Sequence, residues 1–165
     1  MQFGVDDLEA VVRLGAAVGL GMLIGLNRDL KGKPTGARTL GLVALGAALT
    51  ALTAVRVEGL ADHPDAMSRV VQGIIQGVLT GIGFVGAGVV LRDQKALEVH
   101  GLTTAAAVWV TAALGIACAL ASWHLIVIGG GAALVLLTVV QWVERGAEAA
   151  LAGRRSGGAG GEAPD

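Results

Sequence analysis

Residues 70–91 read VVQGIIQGVLTGIGFVGAGVVL, a run with no charged side chain and no proline. Spanning the hydrocarbon of a bilayer takes about 17–25 apolar residues in a helix, and this run meets that requirement. Gly73, Gly77 and Gly81 recur at every fourth position and Gly88 extends the row. Together with Gly83 and Gly86 they are expected to let a neighbouring helix approach closely. Arg69, Gln72, Gln76 and Thr80 form a second stripe beside the first. Hydrocarbon cannot hydrogen-bond an amide, so Gln72 and Gln76 are expected to face other helices or water.

Four more apolar segments flank this one, at about 10–26, 39–55, 102–121 and 125–143. The spacing predicts an all-α membrane protein, a bundle of about five transmembrane helices. The last three segments have ample length and the first two are marginal. Composition agrees, with 54% hydrophobic and only 15% charged residues, where a soluble domain carries about a quarter charged. Thr104, Ala107, Thr111, Gly115, Cys118 and Ser122 give the fourth segment a stripe of its own. Thr39, Gly46, Thr50 and Thr53 do so in the second. The first holds the close-approach pairs Gly15/Gly19 and Gly21/Gly25, and the fifth, mostly Leu, Val and Ile, is expected to face lipid. The glycines at 129–131 are expected to bend the fifth segment or admit a neighbour. Ser122, Trp123 and His124 alone join the last two segments, which predicts a tight antiparallel hairpin.

Basic residues set the expected orientation. Arg28, Lys31, Lys33, Arg38, Arg92, Lys95, Arg145, Arg154 and Arg155 fall on one side, against Arg13, Arg56 and Arg69 on the other. The richer side is cytoplasmic by this rule, so the N-terminus is expected outside and the C-terminus in the cytoplasm. The acidic start lacks the basic stretch of a signal peptide, so the first segment is expected to remain as a helix. Trp123 and Trp142 are nineteen positions apart, about 28 Å of helix, and bracket the last span at the two interfaces. The chain thus divides into a periplasmic N-terminus (1–9), a transmembrane domain (10–143) and a glycine-rich cytoplasmic tail expected to be disordered (144–165).

Composition also bounds the chemistry. A net charge of −1 offers nothing to nucleic acid, and Cys118 stands alone in an apolar run. His63, His100 and His124 lie in loops or at segment ends without a nucleophile and carboxylate at recognisable spacing. The glycines at 81, 83 and 86 match a dinucleotide fingerprint only in letters, because they lie within a membrane run and not at a strand-to-helix turn. Magnesium takes oxygen ligands, usually including carboxylates, and no Asp or Glu occurs between Leu14 and Leu26 or in the later segments. No enzyme activity, cofactor or metal site is expected. Asn27, Arg28, Asp29, Lys31, Lys33 and Arg38 crowd the first connection. They hold the loop inside and attract anionic lipid headgroups, or form a docking surface for a partner's acidic or phosphate group. Asn27 and Arg28 sit within reach of Thr39 or Thr103, and Arg13 reads as an arginine snorkelling to the interface. The polar positions Gln72, Gln76, Thr80, Thr104 and Thr111 read as packing faces or, alternatively, as the lining of a path.

Several segments together resemble the MgtC/SapB family of bacterial inner-membrane proteins. Gly25-Leu26-Asn27-Arg28, Gly32-Lys33-Pro34-x-Gly36-x-Arg38-Thr39 and Val43-Ala44-Leu45-Gly46-Ala47-Ala48 look like its opening block. Residues Gly81 to Gly88 look like its central block, and Gly101-Leu102-Thr103-Thr104-Ala105-Ala106 with Trp109 like its third. The blocks cover nearly all of 10–143. The resemblance implies a non-enzymatic protein linked to growth at low magnesium and, in pathogens, to survival inside macrophages. It implies action through another membrane complex such as the F-type ATP synthase, with a small channel or transporter as the alternative. It carries Asn27, Arg28, Arg38, Thr39, Thr103 and Thr104 over as candidate binding residues. Asn27 stands where the family often has Glu, and Leu40 where a polar residue is common. The expected form is the short one, lacking the soluble C-terminal domain that many members of the family carry. Membrane lipids and further copies of the chain, in the simplest case one, are the other expected partners.

Overall fold

The computed structural model describes residues 5–57, 59–93 and 98–140. Trp142, Lys95 and the tail from 144 lie outside the described residues. Five helices follow in order: α1 (Val5–Asp29), α2 (Ala37–Val55), α3 (Pro64–Val89), α4 (Leu102–Leu120) and α5 (Trp123–Val135). A π turn, Leu136–Val140, continues α5. The architecture is an all-α bundle. A three-residue antiparallel ladder in the α3–α4 connection, β1 (Leu91–Asp93) with β2 (Glu98–His100), pairs Leu91 with His100.

Local chemistry sets the ends. Gly32, at φ 62°, closes α1, with Lys33 N donating to Arg28 O at 3.1 Å. Pro64 opens α3, where its missing N–H costs nothing. Gly101 precedes α4 at φ 93°, and a Cβ there would collide with the Val89 carbonyl. Only a glycine fits that approach. The α4–α5 link is two residues, Ala121 and Ser122, while Trp123 and His124 form the first turn of α5.

Helices α1 to α4 are each long and apolar enough to cross a membrane. α1 is longer than its apolar run, 25 residues, because its helix continues into the charged flank. The described apolar part of α5 is Trp123–Val139, and the rest of the fifth segment, 141–143, lies outside the described residues.

The core is the α1–α2–α4 trio, filled by small residues: Ala17, Ala44, Ala48, Ala51, Ala112 and Cys118 are all but inaccessible. Glycine makes the approaches possible. A Cβ on Gly21 would stand 2.5 Å from Leu40 O, one on Gly25 would strike Ala37, and one on Gly115 would strike Ala44 O. Leu40 is fully buried at the first of these crossings, where an apolar side chain suits the packing. By contrast, Gly15 and Gly19 have no neighbour within 4 Å. Leu125, Val127 and Ile128 of α5 are exposed, while Gly130 admits Leu20 of α1 at 3.1 Å and Gly129 meets Leu114.

Candidate functional site

Two features stand apart from apolar packing: a polar cluster at the end of the bundle holding the first connection, and the outer face of α3. The cluster is built on Arg28. Its periodicity places it on the buried face of α1 with Gly21, Ile24 and Gly25, and it is only 3% exposed. Arg28 Nε donates to Thr35 Oγ1 and to Pro34 O, both at 3.2 Å, and Nη2 donates to Pro34 O at 2.9 Å. Nη2 also donates to Thr104 Oγ1 in the first turn of α4. Among the described residues no carboxylate lies at ion-pair distance from Arg28. A buried guanidinium is tolerated here because carbonyl and hydroxyl oxygens replace its water.

The same loop is pinned twice more. Asp29 Oδ2 accepts from Ala37 N at 2.8 Å and so caps the N-terminus of α2. A Cβ on Gly36 would strike that carboxylate, so glycine at 36 admits it. Thr35 sits at φ 61°, a left-handed conformation costly for a β-branched residue, and its contacts with Arg28 hold it there. Lys31 Nζ (2.8 Å) and Asn27 Nδ2 (3.4 Å) both donate to Leu137 O in the π turn. These bonds tie the first connection to the end of α5 and draw a carbonyl aside where the α-helical ladder changes.

Of the expected binding residues, Arg28 and Thr104 meet directly, and Asn27 joins the cluster through α5. Arg38, Thr39 and Thr103 are exposed and stand outside its hydrogen bonds. Arg28 therefore reaches Thr104 and not the neighbouring Thr103, which a turn of about 100° per residue directs elsewhere. Thr35 and the carbonyl of Pro34 were missed by the sequence reading. The signal was present in the Pro34–Gly36 turn, where a hydroxyl residue stands between two backbone specialists.

At the other end of α1, Arg13 does more than snorkel. Its Nη1 donates to Cys118 O (3.0 Å) and Ala121 O (3.2 Å), its Nε meets Glu9 at 2.8 Å, and its guanidinium lies 5.6 Å from the Trp123 ring centre. A cation thus satisfies the orphan carbonyls at the C-terminus of α4. α1 consequently grips antiparallel α4 at both ends, through Arg28 and Arg13.

The outer face of α3 is of another kind. Ile74, Val78 and Ile82 pack inward, and Gly86 meets Ala105 of α4 at 3.6 Å from an added Cβ. Gln72, Gln76 and Thr80 are exposed. A Cβ added at Gly73, Gly77, Gly81, Gly83 or Gly88 would meet nothing within 4 Å. Ser68, Val71, Gln72, Ile75 and Gln76 line a surface depression of about 650 Å³. Thr111, grouped with these polar positions from sequence, is instead fully buried in α4 and donates to Ala107 O at 2.7 Å.

The family model described as the MgtC family matches residues 14–146. Protein SrpB of Synechococcus elongatus is 39% identical over 85% of this chain and 79% of its own length. Protein SapB of Bacillus subtilis is 34% identical over 67% of this chain, and protein MgtC of Salmonella typhimurium 39% identical over 67%. The chain spans under half the length of those two, 47% and 43%. No solved structure matches it. With four membrane-length apolar helices and this match along most of its length, the chain belongs to the MgtC family of multi-pass membrane proteins.

Proposed function

We propose that this protein is a non-enzymatic regulator in the bacterial inner membrane that acts by binding another membrane complex during adaptation to low magnesium. The F-type ATP synthase is the partner the family resemblance favours, with intramacrophage survival the wider setting in pathogens. The reading takes the basic first connection as cytoplasmic and the N-terminus as outside.

One observation carries it. α3 presents Gln72, Gln76 and Thr80 on the outside of the single chain, with a depression beside them. A glutamine amide facing hydrocarbon loses its hydrogen bonds, whereas one facing another protein keeps them. The glycines alongside remove the side chains that would hold a second helix away. The Arg28 cluster supports the same reading as a brace, since Nε and Nη2 are spent on the chain's own carbonyls and on the hydroxyls of Thr35 and Thr104.

A photo-crosslinking residue at position 76, in cells grown at low magnesium, tests the proposal. Adducts to a membrane subunit of the ATP synthase are expected, as is restrained ATP-driven proton pumping in vesicles containing the chain. Adduct-free samples with unchanged pumping would refute it.

The exposed glutamines also favour a second reading, an oligomer whose copies line a path for an ion or solute with Gln72, Gln76 and Thr80. Ion or solute flux through purified protein in liposomes, lost in Gln76→Leu, would support that reading; impermeable liposomes would remove it.

A further inference from the structure

A groove of about 350 Å³ runs along the outside of the α1–α2 pair. Val18 and Met22 of α1 and Arg38, Gly41, Leu42 and Leu45 of α2 line it. The four α2 positions follow the spacing of one helix face. Gly41 keeps the floor low, and its position meets only Met22 and the Val18 carbonyl. Seven residues separate Arg38 from Leu45, about 10 Å of helix, so the groove starts at the charged end of the bundle and descends about a third of the hydrocarbon depth.

Arg38 is the polar mouth of an otherwise apolar slot. It is exposed, and among the described residues it forms no hydrogen bond or ion pair. The two arginines of α1 differ from it, since Arg13 and Arg28 are both committed to backbone carbonyls. Asp29, the carboxylate nearest in sequence, is held by the N–H of Ala37, which also lines the mouth of the groove, and among the described residues it forms no ion pair with Arg38. A second groove between α2 and α3, about 320 Å³, has no charged residue in its lining. It offers a hydrocarbon chain no reason to carry a particular head.

The geometry points to a binding site for one anionic glycerophospholipid, its acyl chain along Gly41, Leu42 and Leu45 and its phosphate on Arg38. Guanidinium matches phosphate with two parallel donors. A zwitterionic head of the same chain length brings its own cation and gains less. This site goes beyond the regulator reading and is independent of what α3 docks.

Native mass spectrometry of the full chain, equilibrated in detergent with equal phosphatidylglycerol and phosphatidylcholine of matched acyl chains, tests it. Wild type should retain one phosphatidylglycerol per chain with about tenfold preference. Arg38→Gln should abolish the preference, and Leu45→Trp, which fills the slot, should lower retention of both lipids. Lys33→Gln removes an exposed cation of the same connection outside the groove and should change neither. Inorganic phosphate should fail to displace the lipid. Preference surviving in Arg38→Gln would overturn the site. Equal loss in Lys33→Gln would reduce it to a diffuse basic surface, and displacement by phosphate alone would remove the groove from it.

Discussion

α4 has 56% of its spanning window buried, and α3, which packs against it, has 11%. Both helices carry small and polar residues at helical spacing, yet Thr104, Ala107, Thr111, Gly115 and Cys118 face the interior while Gln72, Gln76, Thr80 and the glycines between them face out. The difference lies in what each position must bond. A threonine hydroxyl can satisfy itself on its own helix, as Thr111 does on Ala107 O. A glutamine amide has more donors and acceptors than its own helix offers, so on an exposed face it leaves groups that the single chain does not bond. α4 is therefore the axis of the single chain, and α3 is the helix it offers outward.

The comparison breaks most sharply at glycine. Gly115→Val drives a side chain into Ala44 O, whereas Gly77→Val enters open space. The first should cost about 3 kcal/mol or more and abolish a cooperative thermal transition in detergent. The second should shift stability by about 0.5 kcal/mol or less. Equal effects would dissolve the distinction between the helices.

Arg28 comes next. Arg28→Leu leaves Thr35 Oγ1 and Thr104 Oγ1 without their guanidinium donor and Pro34 O with the Thr35 hydroxyl alone. A loss of about 2–4 kcal/mol is expected, with protease cleavage in the first connection as the readout. Lysine should rescue it poorly, because a point charge cannot bond the two sides of the cluster at once.

A smaller effect is expected at the far end. Arg13→Ala removes the cation from the α4 terminus and from Trp123, at about 1–2 kcal/mol. A quenched, shifted Trp123 fluorescence against an otherwise native melt would report the loosened α4–α5 hairpin. Least of all for the single chain is Gln76→Leu, with a change of about 0.5 kcal/mol or less. Its effect should appear only in the association proposed for α3.

Helix count and most boundaries were legible because apolar length and punctuators such as Pro64 and Gly101 act locally. The burial of α4's stripe and the exposure of α3's were not separable, since periodicity reports which residues share a face and not what that face meets. Gly21 and Gly25 close on α2 while Gly15 and Gly19, with the same spacing, meet nothing. Arg13 looked like a surface cation because its partners are backbone carbonyls about a hundred residues away, brought to its level by the packing of α4 against α1. Asp29 was visible as the acceptor beside the cations of the first connection, but its role as the cap of α2 depends on how the loop folds back. Thr35 carried a local signal that only the turn geometry explains.

On the proposed reading α3 meets protein where α5 meets lipid. Photo-crosslinkers at 76 and at 128, in the chain expressed in its native membrane, compare the two directly, since both positions are exposed in the single chain. Protein adducts at 76 with lipid adducts alone at 128 are predicted. Lipid adducts alone at both positions would contradict the account.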